Sequence, residues 1–130
     1  MTNRKKIGIA LGSGASRGMA HIGVIEVLKK HNIPIDFVAG SSIGAVIGAL
    51  YCAGVDLESF SRLAAHVPTK TILDFSFSKN GLIAGQKIKR ILNLLLKNRT
   101  FKELNIPLCV IATDLVKCER VTLNQGNISE

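Results

Sequence analysis

The chain has 130 residues, 47% of them hydrophobic and 20% charged, with three cysteines and a formal net charge of +8. That size allows one small domain or part of a larger one, and the apolar fraction is ample for a packed core, which excludes a disordered chain. The positive charge raises nucleic acid and anionic membrane as partners. With one tyrosine and no tryptophan, however, base-stacking surfaces are poorly supplied and no nucleic acid is expected.

The basic start, Asn3 to Lys6, leads into an apolar run that a glycine-rich turn soon interrupts, so no signal peptide is read. Ile7 to Leu11 reads as a first buried strand. Gly12 to Gly18 follows, a run of small residues carrying Arg17. Met19 to His31 has helical spacing, with Ile22, Ile25 and Leu28 on one face, and Asn32 is a plausible stop. Ile33 to Ala39 reads as a second strand, with Pro34 near its start, and Ile43 to Ala53 as a helix.

Phe37 to Val55 carries no charge, and Gly40, Gly44 and Gly48 recur at every fourth residue. A transmembrane reading is set aside: three glycines and two serines weaken the hydropathy, and Asp36 and Asp56 bracket the segment. The same small residues suit a helix lying close on a sheet. Gly54 ends that helix and Asp56 caps the next, Leu57 to His66.

Thr69 to Gly85 lacks periodicity and is expected to be irregular. Gln86 to Lys97 is an amphipathic helix with Ile88, Ile91, Leu92 and Leu95 inward; Lys87, Lys89, Arg90, Lys97 and Arg99 are assigned to its wet face. Thr100 and Glu103 form a capping box. Leu108 to Ala112 and Val121 to Leu123 are further strands. Strands alternating with helices predict an α/β fold with a largely parallel sheet flanked by helices. Cys52, Cys109 and Cys118 lack metal or redox spacing, as do the three histidines, so reduced thiols in a cytoplasmic protein are expected, with neither cofactor nor metal.

Two turns carry the chemistry. Gly40-x-Ser42-x-Gly44, between a strand and a helix, is the pattern of a nucleophile elbow. A serine standing clear of the backbone at such a corner needs nearly side-chain-free neighbours two positions away. The helix that follows points its positive end at the hydroxyl. By chance the bare pattern turns up in roughly four of a hundred chains this long, so its weight comes from its placement. Gly12 to Gly18 also follows a strand and opens a helix, which in a parallel sheet puts both turns on one edge. There the first turn can offer backbone N–H groups to a developing oxyanion.

Other readings of these residues are bland or different. Ser42 can be a plain helix N-cap, and Ser41 is read as filler. Gly12-x-Gly14-x-x-x-Gly18 is one residue too long for a dinucleotide turn, and Asp36 is poorly placed as the ribose partner.

The segments Ala10-Leu-Gly-Ser-Gly-Ala-Ser-Arg-Gly-Met-Ala-His-Ile-Gly-Val24, Phe37-Val-Ala-Gly-Ser-Ser-Ile-Gly44 and Ala112-Thr-Asp-Leu115 resemble, in order and spacing, the patatin-like phospholipase family, and its small bacterial members in particular. The resemblance implies an acyl-ester hydrolase with a serine–aspartate dyad. Ser42 is then the nucleophile, and Ser13, Gly14 and Ala15 form the oxyanion hole with Arg17 steadying it. Gly40 and Gly44 frame the elbow. It implies a lipid or other acyl-ester substrate, and a cytoplasmic protein with peripheral contact to anionic membrane.

Ser13 and Ala15 stand where the family commonly has glycine. His21 matches a family position after the turn and is read as packing or hydrogen-bonding there. The family's aspartate precedes a glycine well downstream. None of Asp36, Asp56, Asp74 and Asp114 precedes a glycine, and Asp114 is read as structural. Residues 1–130 therefore correspond to the N-terminal half of such a domain, incomplete at the C-terminal side and expected to turn over little alone. The rival reading is a non-catalytic remnant that binds a partner or an anionic membrane surface.

Overall fold

The computed structural model describes residues 4–66 and 81–130. Four strands form one sheet in the order β1 (Gly8–Leu11), β2 (Phe37–Gly40), β3 (Leu108–Asp114), β4 (Glu119–Leu123). The first three are parallel, and β4 returns antiparallel to β3. Leu11 pairs with Gly40 and Gly40 with Val110, so β1 and β2 end level and their loops leave the sheet side by side.

Among the described residues four α-helices accompany the sheet: α1 (Ala20–Lys30), α2 (Ile43–Cys52), α3 (Leu57–Ala65) and α4 (Gly81–Leu96). Helix α2 lies on the sheet because Gly48 lets it. A Cβ there would come within 3.1 Å of Val38 Cγ1 and 3.3 Å of Leu108 Cδ1, so a larger residue would press both side chains back by a few tenths of an ångström. Helices α1, α3 and α4 pack around α2. The core they enclose centres on Ile25, Ile47, Leu50, Leu57 and Leu96, none more than 1% exposed. By the alternation of β2, Phe37 and Ala39 face away from α2. With Gly8, Ala10 and Cys109 they line a shallow groove of about 560 Å³.

Helix ends follow the sequence closely. After α1, Asn32 adopts φ 54° while its N–H bonds Lys29 O, and the Ile33 N–H bonds Leu28 O. After α2, Gly54 at φ 78° does the same, its N–H bonding Tyr51 O and that of Val55 bonding Leu50 O. Both are left-handed caps that satisfy orphan carbonyls. Asp56 accepts from the N–H groups of Glu58 and Ser59, and the Thr100–Glu103 capping box is formed in both directions.

The structure corrects several boundaries. Strand β2 begins at Phe37, because Ile33 to Asp36 is spent leaving the α1 cap, and Pro34 stays outside the sheet. Helix α4 begins at Gly81, so residues 81–85 are helical where irregular chain was expected; the rest of that stretch, 69–80, lies outside the described residues. On α4, Ile91 is 44% exposed, while Leu92, Leu95 and Leu96 face inward; the side chain of Ile88 lies outside the described ones. Arg99 is not part of a wet face. Its guanidinium donates to the Ala53 carbonyl at 2.7 Å and ties the end of α4 to the end of α2.

Candidate active site

Ser42 sits at the corner between β2 and α2 with φ 52° and ψ −127°. An L-residue reaches such a φ only when its surroundings hold it there. Both glycines of the motif are sterically required. A Cβ on Gly40 would fall 2.6 Å from Gly44 O and 2.7 Å from Ala45 N. A Cβ on Gly44 would fall 2.1 Å from Leu11 O and 2.7 Å from Gly12 O.

An ordinary N-cap serine has β-region dihedrals and a hydroxyl that accepts from the first turn of its helix. Ser42 holds the N-cap position of α2 with neither property: its φ is positive and its side chain makes no capping hydrogen bond. The bland reading of this residue therefore fails on geometry. Helix α2 meanwhile directs its positive end toward the corner, where the N–H groups of Gly44 and Ala45 are taken by the Ser41 and Ser42 carbonyls.

The turn after β1 is packed onto this corner. A Cβ on Gly18 would lie 2.1 Å from Ile43 Cγ2, so the end of the turn rests on the first residue of α2. Ser41 N–H donates to Leu11 O at 3.1 Å, and the hydroxyls of Ser13 and Ser41 are 3.0 Å apart. Ser41 is thus a tie between the two turns rather than filler, a role invisible in sequence because its partner is 28 residues away.

Within the first turn, Ala15 stands at φ 47° and opens a short 3-10 helix through Met19. Arg17 contributes through its backbone, whose N–H donates to Gly14 O at 2.9 Å. The His21 ring nitrogen Nε2 lies 2.8 Å from Gly12 O. Among the described residues, the N–H groups of Ser13, Gly14, Ala15 and Ile43 have no hydrogen-bond partner. Three belong to the turn and the fourth to the first residue of α2.

The aspartates go elsewhere. Asp36 precedes β2, at the amino ends of the strands, while the glycine turns lie at the carboxyl ends. It takes a two-pronged contact from Arg4 at 2.6 and 2.7 Å and the N–H of Ile7 at 2.8 Å. The Arg4 hydrogen bonds, then that of Ile7, hold its carboxyl well below the usual carboxylate range. A ribose role for Asp36 is therefore not available, which removes the second half of a dinucleotide signature. Asp114, at the end of β3, accepts from the N–H groups of Val116 and Lys117 and closes the β3–β4 turn. Asp74 lies outside the described residues.

Cys52 is buried in α2, and that burial pushes its thiol up to about 12. It is a core residue rather than a reactive one. No group of metal-ligating side chains gathers among the described residues. The groove on the outer sheet face includes neither Ser42 nor the Gly12–Gly18 turn. Among the described residues no helix is long and apolar enough to cross a membrane.

A strained serine stands between a parallel strand and a helix of an α/β fold, with a glycine turn packed beside it. The family model of patatin-like phospholipases matches residues 9–129, and the chain belongs to that family. It is 37% identical over 124 residues to an uncharacterised NTE-family protein of Mycobacterium tuberculosis, covering 93% of this chain and 34% of that protein. It is 31% identical over 125 residues to the neuropathy target esterase sws of Drosophila grimshawi, covering 91% of this chain and 8% of that one.

The crystal structure of the type III effector protein ExoU superposes with a TM-score of 0.62 at 14% identity, over 93% of this chain and 36% of that one. That likeness concerns the fold. The chain spans about a third of the length of its mycobacterial relatives.

Proposed function

We propose that this chain carries the nucleophile and the oxyanion hole of a serine acyl-ester hydrolase acting on lipid esters. The observation behind this reading is Ser42 itself, held at φ 52° at the head of α2 with a hydroxyl that caps nothing. Strain of this kind costs on the order of 1–3 kcal/mol and persists where the surrounding structure has a use for it.

In this mechanism Ser42 Oγ attacks the acyl carbonyl and gives its proton to a general base. The carbonyl oxygen, now negative, is received by N–H groups of the turn Ser13–Gly14–Ala15. The intermediate collapses, the alcohol leaves with the proton, and water then releases the acyl group from Ser42. One well-aimed N–H donor is worth on the order of 3 kcal/mol to such a transition state. Arg17 steadies the turn through its backbone bond to Gly14.

The base is the aspartate that the family carries beside a glycine, and it is not among this chain's site residues. Asp36 and Asp114 are committed to other bonds. The 130-residue chain by itself is therefore proposed to show little turnover. The protein is proposed to work in the cytoplasm and to meet anionic membrane at its periphery, in keeping with its net charge of +8.

A fluorophosphonate probe tests the assignment. Ser42 is expected to be labelled in the chain extended by the reading frame that follows Glu130, and Ser42→Ala to remove the label. Labelling at another residue, or none in the extended chain, refutes the reading. A remnant that only binds would instead show salt-sensitive association with anionic vesicles, unchanged by Ser42→Ala.

A further inference from the structure

We propose that His21 is a positioning residue that sets the direction of the Ser13 N–H, the first donor of the turn beside Ser42. The significance for catalysis rests on the hydrolase reading above; the anchoring itself does not.

The geometry begins with one hydrogen bond. His21 Nε2 is 2.8 Å from Gly12 O. A carbonyl oxygen can only accept, so Nε2 carries the proton, which leaves Nδ1 as the bare nitrogen of the neutral ring. His21 is the second residue of α1, so the anchor is a rigid helix that follows the turn.

The Gly12–Ser13 peptide is planar and trans, and its C=O and N–H point in opposite directions. Fixing Gly12 O toward α1 therefore fixes Ser13 N–H away from α1. Two further contacts involve the same residues. Ser13 Oγ stands 3.0 Å from Ser41 Oγ, next to the nucleophile, and Gly12 O lies so near Gly44 that a Cβ there would be 2.7 Å from it.

A turn built from Gly12, Ser13 and Gly14 has little stiffness of its own, because glycine accepts many backbone angles. Without His21, the Gly12–Ser13 peptide loses the one hydrogen bond on its carbonyl and can turn to present that carbonyl where the N–H stood. An oxygen in that place would repel an oxyanion.

Two variants and two readouts test this. His21→Phe keeps the ring and removes the donor. His21→Gln places an amide nitrogen near the position of Nε2 and restores a donor. In the 130-residue chain, nitrogen-15 NMR should find the neutral His21 ring protonated at Nε2. The Gly12 carbonyl and Ser13 amide resonances should move in His21→Phe and return toward their wild-type positions in His21→Gln.

In the extended chain, Ser42 phosphonylation should slow by about 10- to 100-fold in His21→Phe, with kcat for ester hydrolysis reduced and KM unchanged, and should recover in part in His21→Gln. A neutral ring protonated at Nδ1 overturns the proposal. So does a folded His21→Phe whose Ser13 resonance and labelling rate are those of the wild type. If His21→Phe does not fold, the wild-type tautomer and the His21→Gln resonances decide. If the Ser13 resonance responds while Ser42 is never labelled in the extended chain, the anchoring stands and the hydrolase reading falls.

Discussion

Gly44 lies so close to Leu11 that a methyl group in place of its hydrogen would fall 2.1 Å from the Leu11 carbonyl oxygen. Two turns separated by some thirty residues are thereby pressed together, backbone on backbone, at the carboxyl ends of β1 and β2. The obstacle is a main-chain carbonyl engaged by Ser41 N–H, so it has no flexible end that could move aside. Gly44→Ala is expected to destabilise the fold by about 3 kcal/mol or more, at or beyond the upper end of overpacking costs, and to lower the urea midpoint accordingly. Gly23→Ala is the contrasting case. Gly23 is exposed in α1 with nothing within 4 Å of a Cβ, and the change should stabilise by about 0.5–1 kcal/mol. Equal effects of the two substitutions would contradict the close approach.

How much of this was legible in the sequence depends on whether the cause was local. Gly54, Asn32, Asp56 and the Thr100–Glu103 box act within a few residues of themselves, and all four read correctly. So did the strand–serine–helix corner, because its steric requirement falls on residues two positions away. Ser41 and Arg99 did not read, since their partners Ser13 and Ala53 are distant in the chain and nothing local marks them. Residues 81–85 contain two glycines and read as irregular, yet they continue α4 in the fold. For Ser41 and Arg99 the deciding contact is long-range.

The α4 correction gives a paired measurement. Ile47, on the inner face of α2, is fully buried, and Ile47→Ala should cost about 2–5 kcal/mol. Ile91, taken from sequence as inward, is 44% exposed. Ile91→Ala should cost about 1 kcal/mol or less, since little apolar area returns to water. Thermal melts of the two variants separate them, and an Ile91→Ala loss as large as that of Ile47→Ala would restore the inward assignment.

Acid should weaken the fold through carboxylates on its surface. Hydrogen bonds hold Asp36, Asp56 and Glu103 below their ordinary values: Arg4 first for Asp36, the Ser59 hydroxyl first for Asp56, and the Thr100 N–H first for Glu103. A depressed folded pKa means that the stabilisation is complete above the unfolded value, about 4, and is lost as pH falls toward the folded one. The melting temperature should therefore hold between pH 7 and 5 and decline below about pH 4. Asp36→Asn should start lower at neutral pH and show a shallower acid decline. An Asp36→Asn curve parallel to wild type would mean that the Arg4 contact contributes nothing to this slope.

The strained serine sets function against stability at a single residue. Ser42 holds φ 52°, a backbone state that glycine reaches without steric cost and serine does not. Ser42→Gly removes strain worth about 1–3 kcal/mol, and offsets part of that gain by loosening the unfolded chain by about 0.5–1 kcal/mol. The net expectation is a variant more stable by about 1 kcal/mol. Because the hydroxyl caps nothing in α2, its loss subtracts no hydrogen bond from the fold. Ser42→Ala keeps the strain and should leave stability within about 0.5 kcal/mol of wild type. Both variants should lose phosphonate labelling in the extended chain. Denaturant titration of the three proteins is the measurement. A Ser42→Gly less stable than Ser42→Ala would show that the corner is not strained, and with it would go the argument that the backbone is held there for the sake of an exposed hydroxyl.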